Sequence, residues 1–201
     1  MVRMPFPNCA VATVLLILVP PARSGRLCDI TKAPYAAICD NATDDGAAIQ
    51  RALNDRSCST VNVPKGVSCV SRALNISAMS GRTLLISGEL VLWRYPESWS
   101  TTAHNNMFIS ATDGDGSWTG RLLTNFTMGG GGRIIGGGSR WWRLAKTVNR
   151  PRLVWIPNGW RIHIADLTFV DSPAWNIGLR GDDIRVEVRF HRTFMHGCVM
   201  A

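Results

Sequence analysis

Pairs of apolar residues return along this chain at an almost constant interval. Val61 and Val63 come back as Leu84 and Ile86 after 23 residues. Leu153 and Trp155 come back as Trp175 and Ile177, and Ile162 and Ile164 as Ile184 and Val186, after 22. Each pair has the alternation of a strand with one face buried, and an interval of ~20 to 50 residues marks an array or solenoid. A repeat of this size carrying several short strands suits a single-stranded parallel β-helix, whose successive coils stack ~4.8 Å apart. A β-sandwich is the other all-β fold that such short runs allow.

Other short apolar runs fall at Leu90 to Trp93, Ile134 and Ile135, Leu153 to Ile156, Ile162 to Phe169 and Ile184 to Val188, bounded by Gly, Asn, Asp or Pro. With 201 residues, 19 Gly and 18% charged residues, the chain describes one turn-rich folded domain rather than a disordered segment. One segment departs from the strand pattern. Asn41 to Leu53 predicts an amphipathic helix, with Thr43 or Asp44 capping the free amides and Ile49 and Leu53 on one face. A solenoid end exposes apolar core and unpaired strand edges, and a helix over Asp44 to Leu53 is placed to cover the first of these ends.

The first 24 residues have the layout of a cleaved secretory signal: Arg3, an apolar run from Ala10 to Val19, then Pro20, Pro21 and the small residues Ala22 and Ser24. The run is too short to span a bilayer, which needs about 20 residues. Secretion into an extracellular space or cell wall, with no membrane attachment after cleavage, is the expectation. Three glycosylation acceptor patterns agree with it, at Asn41, Asn75 and Asn125. Beyond the signal stand Cys28, Cys39, Cys58, Cys69 and Cys198, an odd number for a compartment where thiols pair. Four cysteines allow three connectivities, and a Cys39–Cys58 bridge is attractive because it brackets the helix.

Several site chemistries are disfavoured. The cysteines form no Cys-x-x-Cys pair, and His104, His163, His191 and His196 have no ligand spacing, so no metal or other cofactor is expected. The glycines at 129–132 and 136–138 lack the Gly-Lys-Ser/Thr ending of a phosphate loop and read as tight turns. A net charge of +8 attracts anionic polymers in general. Without a basic helix or an aromatic RNA-binding motif, nucleic acid is a poor partner. Arg140, Arg143, Lys146, Arg150 and Arg152 surround Trp141 and Trp142. They read as a solvated loop with packed tryptophans, or alternatively as a sugar-acid site.

Several segments carry a family resemblance. Gly132-Arg-Ile-Ile-Gly-Gly-Gly-Ser-Arg-Trp-Trp142, Asn149-Arg-Pro-Arg-Leu-Val-Trp155 and Leu167-Thr-Phe-Val-Asp-Ser-Pro-Ala-Trp-Asn-Ile177 resemble the N-terminal half of polygalacturonases of glycoside hydrolase family 28. Upstream, Thr43-Asp-Asp-Gly-Ala-Ala-Ile-Gln-Arg-Ala-Leu53, Cys58 and Val63-Pro-Lys-Gly66 are similar to the family's opening helix, cysteine, strand and turn. The similarity spans about residues 28–188. It implies a right-handed parallel β-helix over residues 25–201 and hydrolysis of α-1,4 galacturonosidic linkages in pectin, by inversion and without a metal. Acidic polysaccharide is the implied partner; nothing in the residues speaks to oligomeric state.

Inverting hydrolysis needs two carboxyl groups about 6.5–9.5 Å apart, one protonating the leaving oxygen and one activating water. The family supplies them from Asn-Thr-Asp, Asp-Asp and Gly-His-Gly motifs, with an Arg-x-Lys for the substrate carboxylate, all beyond the strand matched here by Ser172-Pro173-Ala174-Trp175. None has a convincing counterpart. Asp182 and Asp183 read as a solvated turn, Asp44 and Asp45 as a helix start, and Met195-His196-Gly197 has the wrong first residue. No catalytic residue is therefore assigned, and the atypical tail 189–201 reads as a truncated or misframed end that abandons strand alternation. The expectation is a polygalacturonase-like fragment inactive by itself, or alternatively a non-catalytic secreted protein that binds acidic polysaccharide or a wall partner. A stack cut in this way is expected to aggregate or dimerise through its open end.

Overall fold

The computed structural model describes residues 25–99, 107–112, 122–144 and 150–191. The chain runs through β1 (Arg26–Asp29), β2 (Asp40–Asp44), helix α1 (Gly46–Asn54), β3 (Cys58–Val63), β4 (Ser68–Ser71) and β5 (Leu74–Asn75). It continues through β6 (Thr83–Ile86), β7 (Glu89–Leu92), β8 (Met107–Ser110), β9 (Leu123–Gly129) and β10 (Arg133–Ile135). A short helix α2 (Gly138–Trp142) precedes two long strands, β11 (Arg152–Val170) and β12 (Ile177–His191).

The fold is all-β and mostly parallel sheet, curled and solenoid-like, with few helices. Nine strands follow one path in the order β1-β3-β6-β9-β11-β10-β7-β4-β2, and every pairing among the described residues is parallel. That arrangement is not an antiparallel sandwich. The curl comes from β11, which pairs in turn with β8 through residues 152–155, with β9 through residues 159–164 and with β10 through residues 168–170. Three stacks result. The first holds β1, β3, β6, β9 and the middles of β11 and β12; the second holds β2, β4, β7, β10 and the ends of β11 and β12; the third holds β5, β8 and the starts of β11 and β12.

The apolar repeat is visible in the register. Val61 pairs with Leu84, Val63 with Ile86, Ile162 with Ile184 and Ile164 with Val186, the partners the interval predicts. In the third stack Val154 meets Ile177 and Trp155 meets Gly178, one residue away from the expected match, and a register shift between Ile156 and Gly159 absorbs the difference. Alternate residues of these strands, including Val61, Val63, Leu84, Ile86, Ile162 and Ile164, are buried and form one core. The glycines at 129–132 make the turn from β9 to β10. Gly130 has φ +123° and lies against the Ile86 backbone, so a Cβ there would be both strained and in collision.

Helix α1 packs against β3 and β5 and takes the position where the third stack begins. Ile49, Ala52 and Leu53 are its buried face. It replaces a strand chemically as well. The Gln50 side-chain amide donates to Asn75 O and accepts from Asn75 N, both at 2.8 Å, so one side chain satisfies the outer edge of β5. The helix starts at Gly46, two residues later than the expected cover. Neither expected residue is the N-cap, which is Asp45 without a side-chain cap bond: Asn41–Asp44 belong to β2, Asp44 Oδ1 accepts the Gly46 N–H at 3.0 Å from there, and Thr43 is bound to Asp40. The helix C-terminus is held by Arg82, a buried residue whose guanidinium donates to the carbonyls of Cys58 at 2.5 Å, Leu53 at 2.7 Å and Asp55 at 2.8 Å.

The disulfides are Cys28–Cys58 and Cys39–Cys69, not the expected Cys39–Cys58. Both cross from one level of the stack to the next: β1 lies beside β3 and β2 beside β4. Proximity across the stack decides the partner, whereas bracketing the helix along the chain does not. Cys198 lies outside the described residues. The tail also differs from expectation, because Arg189, Phe190 and His191 continue β12 and pair with Thr168, Phe169 and Val170.

Beside the first disulfide, the Asp55 carboxylate accepts from Tyr35 Oη at 2.5 Å, Ser57 Oγ at 2.7 Å and Ser57 N at 2.9 Å. These donors, Tyr35 first, pull its pKa from 3.8 to about 2. A depressed carboxyl stabilises the fold above its unfolded pKa, and the contribution disappears as pH falls through the folded value. Asp55→Asn is therefore expected to flatten the acid limb of stability between 3.8 and about 2, as read by urea titrations at stepped pH. An unchanged limb would contradict this role.

Candidate basic cleft

The second stack ends in a cleft of about 380 Å³ whose lining includes Asn41, Glu89, Trp93, Arg94, Ser139 and Arg140. Its geometry follows from the strands. β7 and β10 pair residue for residue from Glu89 and Arg133 onward. Beyond the pairing, one chain runs on to Trp93 and Arg94, and the other turns at Gly136 and Gly137 into α2, which carries Arg140. Gly137 has φ +60°, which sets that turn.

The charges in the cleft are unequally matched. Glu89 Oε1 is held by Arg133 Nη1 at 2.8 Å, so the one acid of the lining is already neutralised. Arg94 donates to Asn41 Oδ1, and Arg140 Nη1 donates to Arg94 O at 3.3 Å. Among the described residues neither guanidinium has a carboxylate within salt-bridge distance. Trp93 meets Tyr95 edge-on at 5.3 Å, and Arg72 stacks over it at 4.7 Å while pairing with Asp44 at 2.9 Å. The result is an open pocket with two guanidinium groups available to an anion.

Of the described members of the basic cluster around the paired tryptophans, Arg140 alone lines this cleft. Arg143 is exposed elsewhere, and Lys146 lies outside the described residues. Arg150 turns inward to the carbonyls of Trp142 and Leu144 at 3.4 and 3.5 Å. Arg152 lies between Trp155 and Trp175, at 4.8 and 4.3 Å, and desolvation lowers its pKa. Trp141 is 1% exposed and meets Trp99 edge-on, while Trp142 Nε1 donates to Ser172 O at 3.2 Å. Both tryptophans are thus packed, as expected, but Gly138–Trp142 is helix α2 rather than part of a solvated loop. Arg94 was not singled out from the sequence: it stands alone there, and only stacking brings it to Arg140.

The remaining residues of interest are dispersed. Asp182 and Asp183 are exposed but lie within β12 rather than in the expected turn, Asp182 pairing with Trp160 and Asp183 taking φ +53°, with Arg161 Nε 3.8 Å from Asp183 Oδ2. Asp45 is buried, which pushes its carboxyl pKa up, and it accepts from the N–H groups of Ile38 and Cys39 rather than capping α1. His163 lies within β11 and His191 ends β12; His104 and His196 lie outside the described residues. The close Cys–Asp groups in the described residues, Cys28–Asp55–Cys58 and Cys39–Asp45–Cys69, have their sulfurs committed to the disulfides. Asn41 and Asn125 are exposed, whereas Asn75 is half-buried and its Nδ2 donates to Thr112 O at 2.9 Å. No helix among the described residues is long and apolar enough to cross a membrane; residues 1–24 lie outside them. In comparisons with known proteins, the chain matches no family model and no curated sequence.

Proposed function

We propose that this chain is a secreted, right-handed parallel β-helix of the polygalacturonase kind, and that its basic cleft holds carboxylate groups of an acidic polysaccharide such as polygalacturonate. The observation that carries the reading is the pair Arg94 and Arg140, two guanidinium groups in one open cleft without carboxylate partners among the described residues. A guanidinium fork matches a carboxylate in two parallel hydrogen bonds. The net charge of +8, which falls to +6 when Arg3 and Arg23 leave with the signal, adds a long-range attraction for an anionic polymer, screened by salt. The three parallel stacks and the family-like segments support the β-helix.

Pectin hydrolysis is the function the resemblance implies, and it needs a proton donor and a water-activating carboxylate flanking the bond. The acidic pairs singled out from the sequence serve other ends: Asp44 pairs with Arg72, Asp45 accepts the N–H groups of Ile38 and Cys39, and Asp183 lies beside Arg161 on the exposed side of β12. The chain by itself is therefore a binder that does not cleave. Retention on immobilised polygalacturonate, run beside a reducing-sugar assay, tests both halves. Arg94→Ala and Arg140→Ala are each expected to weaken retention about tenfold, the order lost with a charge-assisted hydrogen bond. Release of reducing ends would contradict the non-cleaving half, and retention indifferent to both substitutions would contradict the cleft.

A further inference from the structure

Asn41 holds a position that neither of the other two acceptor asparagines shares. It lines the basic cleft, is exposed, and accepts at Oδ1 from Arg94 Nη2 and, at 3.3 Å, from Ser68 Oγ. A guanidinium only donates, so the amide atom facing Arg94 is the oxygen. No described residue takes Nδ2. The register of β2 against β4 shifts between Asp40 and Asp44, and Asn41 has φ +62°, so this stretch departs from the regular ladder. Asn125 is also exposed but lies in β9, outside the lining of the cleft. Asn75 has both ends of its amide in use, Nδ2 donating to Thr112 O at 2.9 Å and Oδ1 accepting from Ser77 N at 2.8 Å.

We propose that Asn41, in the pattern Asn41-Ala42-Thr43, is a glycosylation site whose sugar closes the basic cleft, so that the chain takes up acidic polymer only when this asparagine is bare. The proposal rests on the cleft being the polymer's site and adds how that site is controlled. The modification draws on an oligosaccharide donor with a diphosphate leaving group. The bond from sugar C1 to the diphosphate oxygen breaks, a bond from C1 to Nδ2 forms, and Nδ2 gives up one proton to a base of the transferring enzyme.

Amide geometry directs the outcome. An N-substituted amide is planar and trans, which places C1 on the same side as Oδ1, the atom that faces Arg94. The oxygen remains an acceptor after modification, so the contact with Arg94 survives and the sugar starts beside that guanidinium. A cleft of about 380 Å³ has room for one small ligand, and a sugar chain rooted in its wall competes with polymer for the same space. The amide stays neutral throughout. Access is therefore lost without neutralising Arg94 or Arg140.

The full chain secreted from a eukaryotic host tests this beside two variants. Thr43→Ala abolishes the acceptor pattern while leaving the Asn41 amide on Arg94, and Thr43→Ser keeps the pattern. Peptide mass spectrometry is expected to find sugar at Asn41 in the unsubstituted and Thr43→Ser chains and none in Thr43→Ala. The two glycosylated chains are expected to be retained on immobilised polygalacturonate about tenfold more weakly than Thr43→Ala. Phenylglyoxal, a guanidinium reagent, is expected to label Arg94 several-fold more slowly in them. Sugar at Asn125 is common to all three chains and drops out of the comparison. Made in a host that adds no sugar, the three chains are expected to be retained alike, which separates loss of the sugar from damage to the fold. A bare Asn41 in the secreted chain, Arg94 labelled equally fast with and without sugar, or retention that the sugar leaves unchanged would overturn the proposal. Slowed labelling with no form retained would support closure of the cleft and contradict the polysaccharide reading instead.

Discussion

Replacing Arg82 with methionine is expected to cost about 3–5 kcal/mol of unfolding free energy, a large share of what holds a domain of this size together. The side chain is 8% exposed, and desolvation lowers its pKa. Its guanidinium is the donor for the carbonyls of Cys58, Leu53 and Asp55 and makes longer contacts to Ala52 and Ala78. Those carbonyls end α1 and begin β3, where no helical N–H can reach them. Methionine fills much of the volume but donates nothing, so Leu53 O loses its guanidinium donor, while Asp55 O keeps only the Cys58 N–H at 3.0 Å and Ala52 O only the Asp55 N–H at 3.3 Å; a buried acceptor left unpaired costs about 1–3 kcal/mol before relaxation. The substitution also removes the positive charge from the end of the helix dipole. A urea titration reads the loss directly, and a change below about 1 kcal/mol would mean that the helix end is held by other means.

Removing the Cys28–Cys58 bridge as Cys28→Ser with Cys58→Ser is expected to cost about 3–4 kcal/mol, from the entropy of closing a loop of this length in the unfolded chain. The bridge spans 30 residues, and so does Cys39–Cys69. Both fasten the first level to the second, so the loss should be concentrated there. β1 has four residues and β2 is largely exposed, and neither pairs with more than one strand. Hydrogen exchange in the double-serine variant is accordingly expected to accelerate at β1, β2 and α1 while the β9–β11 ladder stays protected. Uniform acceleration through all levels would contradict a local fastening role.

The residues that could be placed from sequence were those whose alternation and spacing were intact. Val61 with Leu84 and Ile162 with Ile184 stand in adjacent levels with short turns between them, so their interval survives in the chain. Leu84 pairs next with Met128, 44 residues on, and there a long excursion hides the repeat. Strands such as β2 and β4, Asp-Asn-Ala-Thr-Asp and Ser-Cys-Val-Ser, carry too little apolar alternation to be recognised and owe their conformation to the neighbouring level. The cleft was less legible still. Arg94 and Arg140 are joined by stacking rather than by local pattern, and the basic residues that were conspicuous in sequence, Arg150 and Arg152, are occupied by carbonyls and tryptophan rings.

Mass spectrometry of peptides from the unreduced chain tests most directly whether successive strand segments lie above one another. Vertical stacking of β1 on β3 and of β2 on β4 predicts a peptide containing Cys28 joined to one containing Cys58, and Cys39 joined to Cys69. Recovery of Cys39 joined to Cys58, or of Cys198 joined to any of the four, would contradict it.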